Sequence, residues 1–231
     1  MTKIYCDTSN LKDIKNCIKK YNISGVTTNP SIMRSEGVRK YKEHCIKILK
    51  LVKNKPFSIE VFADNDQDII NQAKKISRWG KNIYVKVPVT NTKGKFLKKV
   101  IKDLNRKKIK INITAVFTLK QIIDIKKNIN KKTPIIVSIF CGRIADLGKD
   151  PEPLIAKAKI IFKNYKNVQI LWASTREVFN YYQAKNCGCD IITMGPTFIE
   201  KLKSKKISLN NYSIKTVKQF YLDGKRSKFK I

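Results

Sequence analysis

Residues 57–89 read FSIEVFADNDQDIINQAKKISRWGKNIYVKVPV. Two short β-branched runs, Phe57–Phe62 and Ile83–Val87, bracket a stretch, Asp66–Ser77, whose apolar residues recur at spacings of three and four. The runs read as strands and the stretch between them as an amphipathic helix. A crossover of this length joins parallel strands, since an antiparallel pair needs only a tight turn. The same alternation continues in both directions. Upstream lie strands Lys3–Asp7 and Gly25–Thr28, with helices Ser9–Tyr21 and Val38–Val52. Downstream come strands Lys110–Thr114, Ile135–Ser138, Gln169–Ala173 and Asp190–Thr193. Helices are read at Gly94–Asn105, Thr118–Ile129, Pro153–Tyr165, Thr175–Lys185 and Pro196–Lys203. Eight strand–helix units in a chain of 231 residues give an α/β fold of the TIM type, a (β/α)8 barrel. An open doubly wound sheet is the alternative, although no G-x-G-x-x-G follows any strand. No linker or repeat marks a second domain, so residues 1–231 are read as one barrel domain. An extra C-terminal helix, Ser213–Leu222, and a basic tail (KRSKFK) fall within about 205–231.

Composition narrows the chemistry. Hydrophobic residues make up 42% of the chain, enough for a packed core. The formal charge is +33, which by itself suggests a polyanion partner. Lys supplies 43 of the 50 basic residues, however, and Arg only 7. Readers of bases and phosphates lean on the bidentate guanidinium. The lysines are also spread over nearly every helix, so no nucleic-acid partner is expected and a solvated basic surface is. A Lys-rich nucleic-acid-binding protein is the remote alternative. The one histidine, His44, rules out His-based triads and three-His zinc sites. The six cysteines form neither a C-x-x-C pair nor a disulfide framework. No metal and no cofactor are therefore expected. With no apolar run near the roughly eighteen residues of a membrane span, the chain reads as cytoplasmic with no membrane partner.

In a barrel of this type the chemistry sits at the C-terminal ends of the strands. Those ends carry Asp7, Thr27, Thr28, Asn29, Glu60, Lys86, Asn112, Thr114, Ser138 and Ser174, with Arg143 and Arg176 just beyond. Lys86 is the sharpest signal. In IYVKVPV it shares a face with Tyr84 and Pro88, while Val85 and Val87 face the other way. Lysine is rarely buried without a partner or a task. Burial pushes a lysine pKa down, by up to about 3–5 units, and a neutral amine attacks a ketone to form an imine. Snorkelling of the ammonium from an edge strand is the alternative. Asp7 and Glu60 are candidates for the acid–base pair, or for structural ion pairs that would instead hold Lys86 charged. Ser174 and Thr175 fall where strand seven gives way to a helix. A hydroxyl-rich helix N-terminus with Arg176 and Arg143 nearby is a candidate phosphate site, and an N-cap is the plainer reading of Ser174. His44 is read as a packing residue. Cys141, close to the proposed mouth, is a candidate thiol.

At these residues the sequence resembles the transaldolase family, in particular its small single-barrel members, which include the fructose 6-phosphate aldolases. The segments that carry the resemblance are CDTSN at Cys6–Asn10, GVTTNPSI at Gly25–Ile32, IEV at Ile59–Val61 and YVKVPVT at Tyr84–Thr90. They continue with NITAVFT at Asn112–Thr118, SIFCGRIAD at Ser138–Asp146, ILWASTR at Ile170–Arg176 and GCDIITMGP at Gly188–Pro196. The resemblance implies a class I aldolase barrel without cofactor or metal. It implies that Lys86 forms the Schiff base, that Asp7 and Glu60 are the acid–base carboxylates, and that Thr114 holds a water with Glu60. Asn29 and Asn112 match sugar contacts. Ser138, Ser174, Arg143 and Arg176 match hydroxyl and phosphate contacts. Glu60, Phe140, Arg176 and Asn112 carry the residue types of the transferases, where the aldolase branch has others. Compact length is common to both. Ser174-Thr175-Arg176 departs from the more usual Ser-Phe-Arg. The implied reaction transfers a dihydroxyacetone unit between sugar phosphates in the pentose phosphate pathway, from sedoheptulose 7-phosphate or fructose 6-phosphate. An aldolase releasing free dihydroxyacetone is the alternative, and a homo-oligomer is expected.

Overall fold

The computed structural model describes residues 1–204 and 207–227. Eight parallel strands close into a barrel in sequence order, each bonded to the next and the eighth to the first. They are β1 (Lys3–Asp7), β2 (Gly25–Thr27), β3 (Phe57–Glu60), β4 (Ile83–Pro88), β5 (Ile111–Val116), β6 (Ile135–Ile139), β7 (Val168–Trp172) and β8 (Ile191–Met194). Closure excludes the open sheet. The surrounding helices are α1 (Leu11–Tyr21), α2 (Pro30–Ser35), α3 (Tyr41–Val52), α4 (Asp66–Ser77), α5 (Lys98–Arg106) and α6 (Leu119–Lys126). The rest are α7 (Cys141–Asp146), α8 (Glu152–Ile161), α9 (Phe179–Asn186), α10 (Pro196–Lys203) and α11 (Leu209–Ser227).

Strand alternation sorts the side chains into two cores. Outward residues such as Val26, Ile59, Val85, Ile113, Val137, Ile170 and Ile192 pack under the helices in one continuous cluster. Inward residues Tyr5, Ile136, Leu171, Ala173 and Ile191 form a second cluster inside the barrel, with Tyr84 and Phe140 against it. Burying aliphatic side chains of this size is worth about 1.5–3 kcal/mol each. The aromatic and aliphatic plug fills the bottom of the barrel, so polar inward residues one step further along the strands open only upward.

Several boundaries differ from the sequence reading, each for a local reason. Two short helices were not anticipated. Asn29 caps α2 by accepting from Ile32 N at 2.9 Å, with Pro30 at its first position. α7 begins directly after β6. The helix expected from Thr175 starts only at Phe179, because Asn180 Oδ1 accepts from Arg176 N at 2.8 Å and from Glu177 N, holding that segment in a turn. α5 starts at Lys98, since Asn91 Oδ1 takes the N–H groups of Lys93 and Lys95 and closes a loop there. The C-terminal helix is longer than Ser213–Leu222. Ser208 caps it through Asn211 N at 3.2 Å, and none of its residues is buried. Of the basic tail, residues 228–230 lie outside the described residues.

Candidate active site

The pairing register assembles the site. Asp7 lies beside Thr27, Glu60 beside Lys86, Lys86 beside Asn112, and Pro88 beside Thr114. Ten of the eleven sequence-predicted residues line one cavity of about 260 Å3 at the C-terminal mouth: Asp7, Asn29, Lys86, Asn112, Thr114, Ser138, Phe140, Arg143, Ser174 and Arg176. The eleventh, Glu60, pairs with Lys86 from just behind the wall.

Lys86 is only 6% exposed. Its Nζ is 2.9 Å from Glu60 Oε2 and donates to Thr28 O at 2.8 Å. The ammonium therefore ends on protein partners inside the barrel, and the snorkelling alternative fails. Tyr41 of α3 fixes the Glu60 backbone by donating its hydroxyl to Glu60 O at 2.7 Å. An amine becomes a nucleophile only after losing its proton. Glu60 is within direct transfer distance of that proton.

Asp7 faces the same cavity. Burial raises its carboxyl above the usual carboxylate range; Lys86 and the Thr27 hydrogen bond pull the other way, and Glu60 adds to the rise. Thr27 Oγ1 donates to Asp7 Oδ1 at 2.6 Å. Thr193, from β8, lies 2.5 Å from Thr27 oxygen to oxygen. The sequence reading gives neither hydroxyl a catalytic or substrate-binding role. Thr27 was visible as a strand end. Thr193 sits in an ordinary DIIT run, and only closure of β8 onto β1 brings it near Asp7.

The opposite wall is tightly wired. Asn112 Nδ2 donates to Ser58 Oγ at 3.1 Å, and Asn112 Oδ1 accepts from Ser138 Oγ at 2.7 Å. Ser138 therefore spends its one proton on orienting Asn112, which keeps a second N–H for the cavity. Thr114 Oγ1 is buried and has no hydrogen-bond partner among the described residues. A bulge follows it: the β5–β6 register slips between Ile113 and Val116, with Ala115 at φ 57°. A left-handed alanine costs roughly 1–2 kcal/mol, and bulges of this kind re-aim side chains beside active sites.

The rim beyond β6 and β7 carries the cations. Arg176 Nε lies 3.1 Å from both carboxylate oxygens of Asp146, and its Nη2 reaches Asp146 Oδ2 at 2.5 Å. This side-on fork holds the guanidinium plane and leaves Nη1 without a hydrogen-bond partner among the described residues. The guanidinium in turn holds the Asp146 carboxyl below the usual range. The Arg143 guanidinium stands 5.4 Å from the Phe140 ring centre, a cation–π contact. Ser174 adopts φ 65° and caps no helix, which corrects both the N-cap reading and the helix-terminus form of the phosphate site. Ser174 and Arg176 stand on the loop after β7 and Arg143 on α7 instead, and all three line the cavity. Gly142 makes this possible. A Cβ there would lie 1.6 Å from Ser174 O, so only glycine lets α7 touch the β7 loop.

The remaining candidates fall outside this chemistry. Cys141 is fully buried and burial pushes its thiol well up, the opposite of a reactive cysteine. His44 Nε2 sits 2.7 Å from Ser9 O and ties α3 to the loop after β1. No cluster of three or more His, Cys, Asp or Glu side chains suited to a metal occurs among the described residues. No helix among them is long and apolar enough to cross a membrane.

Comparison with known proteins identifies the family. The family model described as transaldolase/fructose-6-phosphate aldolase matches residues 4–230. A protein of Nitrosopumilus maritimus (strain SCM1) named "Probable transaldolase" is 34% identical over 215 residues, 91% of this chain and 92% of its own. Another of the same name, from Thermoplasma volcanium, is 36% identical over 206 residues, 88% of each. Among solved structures, one titled "Native KDPGal structure" superposes with a TM-score of 0.56 at 10% identity, covering 83% of this chain and 82% of that one. The 4-hydroxy-tetrahydrodipicolinate synthase of Methylacidiphilum fumariolicum SolV gives 0.56 at 11% identity, covering 86% and 69%. At such identities these two speak for the barrel alone. The chain belongs to the transaldolase/fructose-6-phosphate aldolase family.

Proposed function

We propose that this enzyme is a transaldolase that works through a Lys86 Schiff base. It moves a dihydroxyacetone unit from a ketose phosphate, sedoheptulose 7-phosphate or fructose 6-phosphate, to an aldose phosphate. The observation that carries the reading is Lys86 itself: a lysine 6% exposed, 2.9 Å from Glu60, in a cavity that also holds Asp7. Lys86 gives its proton to Glu60 and its nitrogen attacks the ketone carbon. The carbinolamine loses water to leave a protonated imine. The imine accepts the electron pair of the neighbouring carbon–carbon bond, while Asp7 takes the proton of the adjoining hydroxyl. An aldose leaves, and a three-carbon enamine stays on Lys86. The enamine then attacks the acceptor aldehyde, whose oxygen recovers the proton from Asp7. Water held by Thr114 and Glu60 hydrolyses the new imine and frees Lys86. No electron is gained or lost overall, so no redox cofactor is required by the balance.

Asn29 and Asn112 hold the sugar hydroxyls in this scheme, with Ser138 orienting Asn112. Arg143, Arg176 and Ser174 receive the phosphate, and Phe140 backs Arg143. The excess positive charge favours capture of phosphate dianions, so rates fall with salt. The enzyme acts in the pentose phosphate pathway of the cytoplasm, as a homo-oligomer, with the barrel of residues 1–231 as its one domain. Borohydride reduction in the presence of fructose 6-phosphate, followed by peptide mass mapping, tests the core of this reading. A reduced three-carbon adduct on the Lys86 peptide is expected; an adduct elsewhere, or none, refutes it. The identities of Glu60, Phe140, Arg176 and Asn112 favour transfer over release of free dihydroxyacetone. Rapid consumption of donor without any acceptor aldehyde would reverse that choice.

A further inference from the structure

The hydroxyl chain behind Asp7 has a donor count that assigns Thr193 a task. Thr27 has a single hydroxyl proton, and with Asp7 ionised that proton lies in the 2.6 Å bond to Asp7 Oδ1. The 2.5 Å contact between Thr27 and Thr193 must then be a donation from Thr193. Thr193 is 4% exposed, and its backbone carbonyl is gripped at 2.6 Å by the hydroxyl of Thr175, from the loop that carries Ser174 and Arg176. We propose that Thr193 is a positioning residue: through Thr27 it holds the Asp7 carboxylate ionised, with Oδ1 occupied and Oδ2 turned to the substrate proton. Taken as part of catalysis, this rests on the proposed use of Asp7 as proton acceptor.

The physical case is cooperative. A hydroxyl that accepts a hydrogen bond becomes a better donor, and a bond to a charged acceptor in a poorly solvated site is strengthened most. The other groups facing Asp7 are Lys86 from β4, which favours the carboxylate, and Glu60 from β3, which opposes it. Arg143 and Arg176 line the same cavity at its rim. Against burial and Glu60, the relay adds to Lys86 in keeping Asp7 ready to accept a proton.

The test is a titration that does not require turnover. Carboxyl-13C aspartate is incorporated, the Asp7 resonance is assigned with Asp7→Asn, and its midpoint is followed in wild type, Thr193→Val, Thr193→Ser, Thr27→Val and the Thr27/Thr193 double valine variant. The midpoint rises by about 0.5–1 pH unit in Thr193→Val, one hydrogen bond's worth, and returns in Thr193→Ser. In the Thr27→Val background the second substitution adds nothing, because the chain is already cut. The acid limb of kcat/KM moves in parallel. A coincident titration in folded Thr193→Val, failure of serine to restore it, or full additivity in the double variant overturns the relay. Should the valine variant not fold, Thr193→Ala takes its place with the same expectations. An enzyme that forms no imine would remove the catalytic reading yet leave the titration able to decide the relay.

Discussion

Gly142→Ala tests whether the rim of the site depends on a contact that only glycine permits. The added Cβ would stand 1.6 Å from Ser174 O, where real contacts stay beyond 3.0 Å. The loop after β7 and the first turn of α7 must therefore part by about 1.4 Å. The obstacle is a backbone carbonyl, which cannot rotate away as a side chain would. Separation also stretches the bond from Gly142 N to Ala173 O, now 3.3 Å. Overpacking costs about 1–3 kcal/mol and a weakened hydrogen bond about 1 more, so a loss of about 2–4 kcal/mol is expected. With a urea slope near 2 kcal/mol/M, the unfolding midpoint falls by about 1–2 M. Trp172, buried on β7 two residues before Ser174, reports the transition by fluorescence. Ser174 and Arg176 move with the loop, so kcat/KM for a phosphorylated acceptor drops roughly 10- to 100-fold, as displacements of about 1 Å commonly do. Unphosphorylated glyceraldehyde is affected far less. An alanine variant with wild-type stability and unchanged preference for the phosphorylated acceptor would refute the argument.

Three further outcomes follow from the same geometry. Lys86→Met abolishes transfer and the borohydride adduct; the methionine fills a similar volume, but Glu60 loses its ion-pair partner, so circular dichroism must show the variant folded before it is assayed, and retained turnover would end the Schiff-base proposal. Asp7→Asn abolishes transfer yet raises Tm at neutral pH. The folded state raises the Asp7 carboxyl above its ordinary value, so the unfolded chain holds fewer protons there and stability falls as pH climbs from the unfolded to the folded value. Asparagine escapes that penalty, and the Tm gap should close below the carboxylate range; a lower Tm at pH 7 contradicts the sign. Asp146→Ala frees the Arg176 guanidinium from its fork and is expected to raise KM for phosphorylated substrates about tenfold, the scale of one charged hydrogen bond, with little change for unphosphorylated ones. Equal effects on both substrates would show that Asp146 serves only folding.

Much of this was readable from the chain because the barrel imposes a repeating rule. Each strand alternates, so a polar residue inside an apolar run, such as Lys86 in IYVKVPV or Glu60 in FSIEVF, had to face either water or a common interior. Eight such runs in order left a shared mouth as the economical answer, and ten of the eleven selected residues line one cavity. What escaped is what depends on contacts between distant segments. Thr193 meets Thr27 across 166 positions of sequence, through closure of β8 on β1. Asp146 reads as a surface acid until Arg176, 30 residues on, turns toward it. The left-handed residues Ala115 and Ser174 break the local expectation, since neither type signals that backbone. The helix expected at Thr175 failed for a similar reason: Asn180 captures the donors of Arg176 and Glu177 before a helix can form.

These departures gather at one end of the molecule for a physical reason. The lower barrel is filled by Tyr5, Ile136, Leu171 and Ile191, and apolar packing there tolerates no irregularity. One step higher, every strand but β7, which places Ala173 there, turns a polar residue inward: Asp7, Thr27, Ser58, Lys86, Asn112, Ser138 and Thr193. A ring of polar groups in a poorly solvated interior is stable only if each finds partners. Asn112 joins β3, β5 and β6 through Ser58 and Ser138. Asp7, Thr27 and Thr193 join β1, β2 and β8, and Glu60 with Lys86 joins β3 and β4. The bonds that satisfy the ring also cross-link neighbouring strands at the open end, where no apolar plug holds them. Thr114 stands apart, with a buried hydroxyl that no described residue engages. The same network that keeps the mouth closed as a barrel thus fixes the amine and the two carboxylates relative to one another, while leaving the Thr114 hydroxyl uncommitted in the cavity.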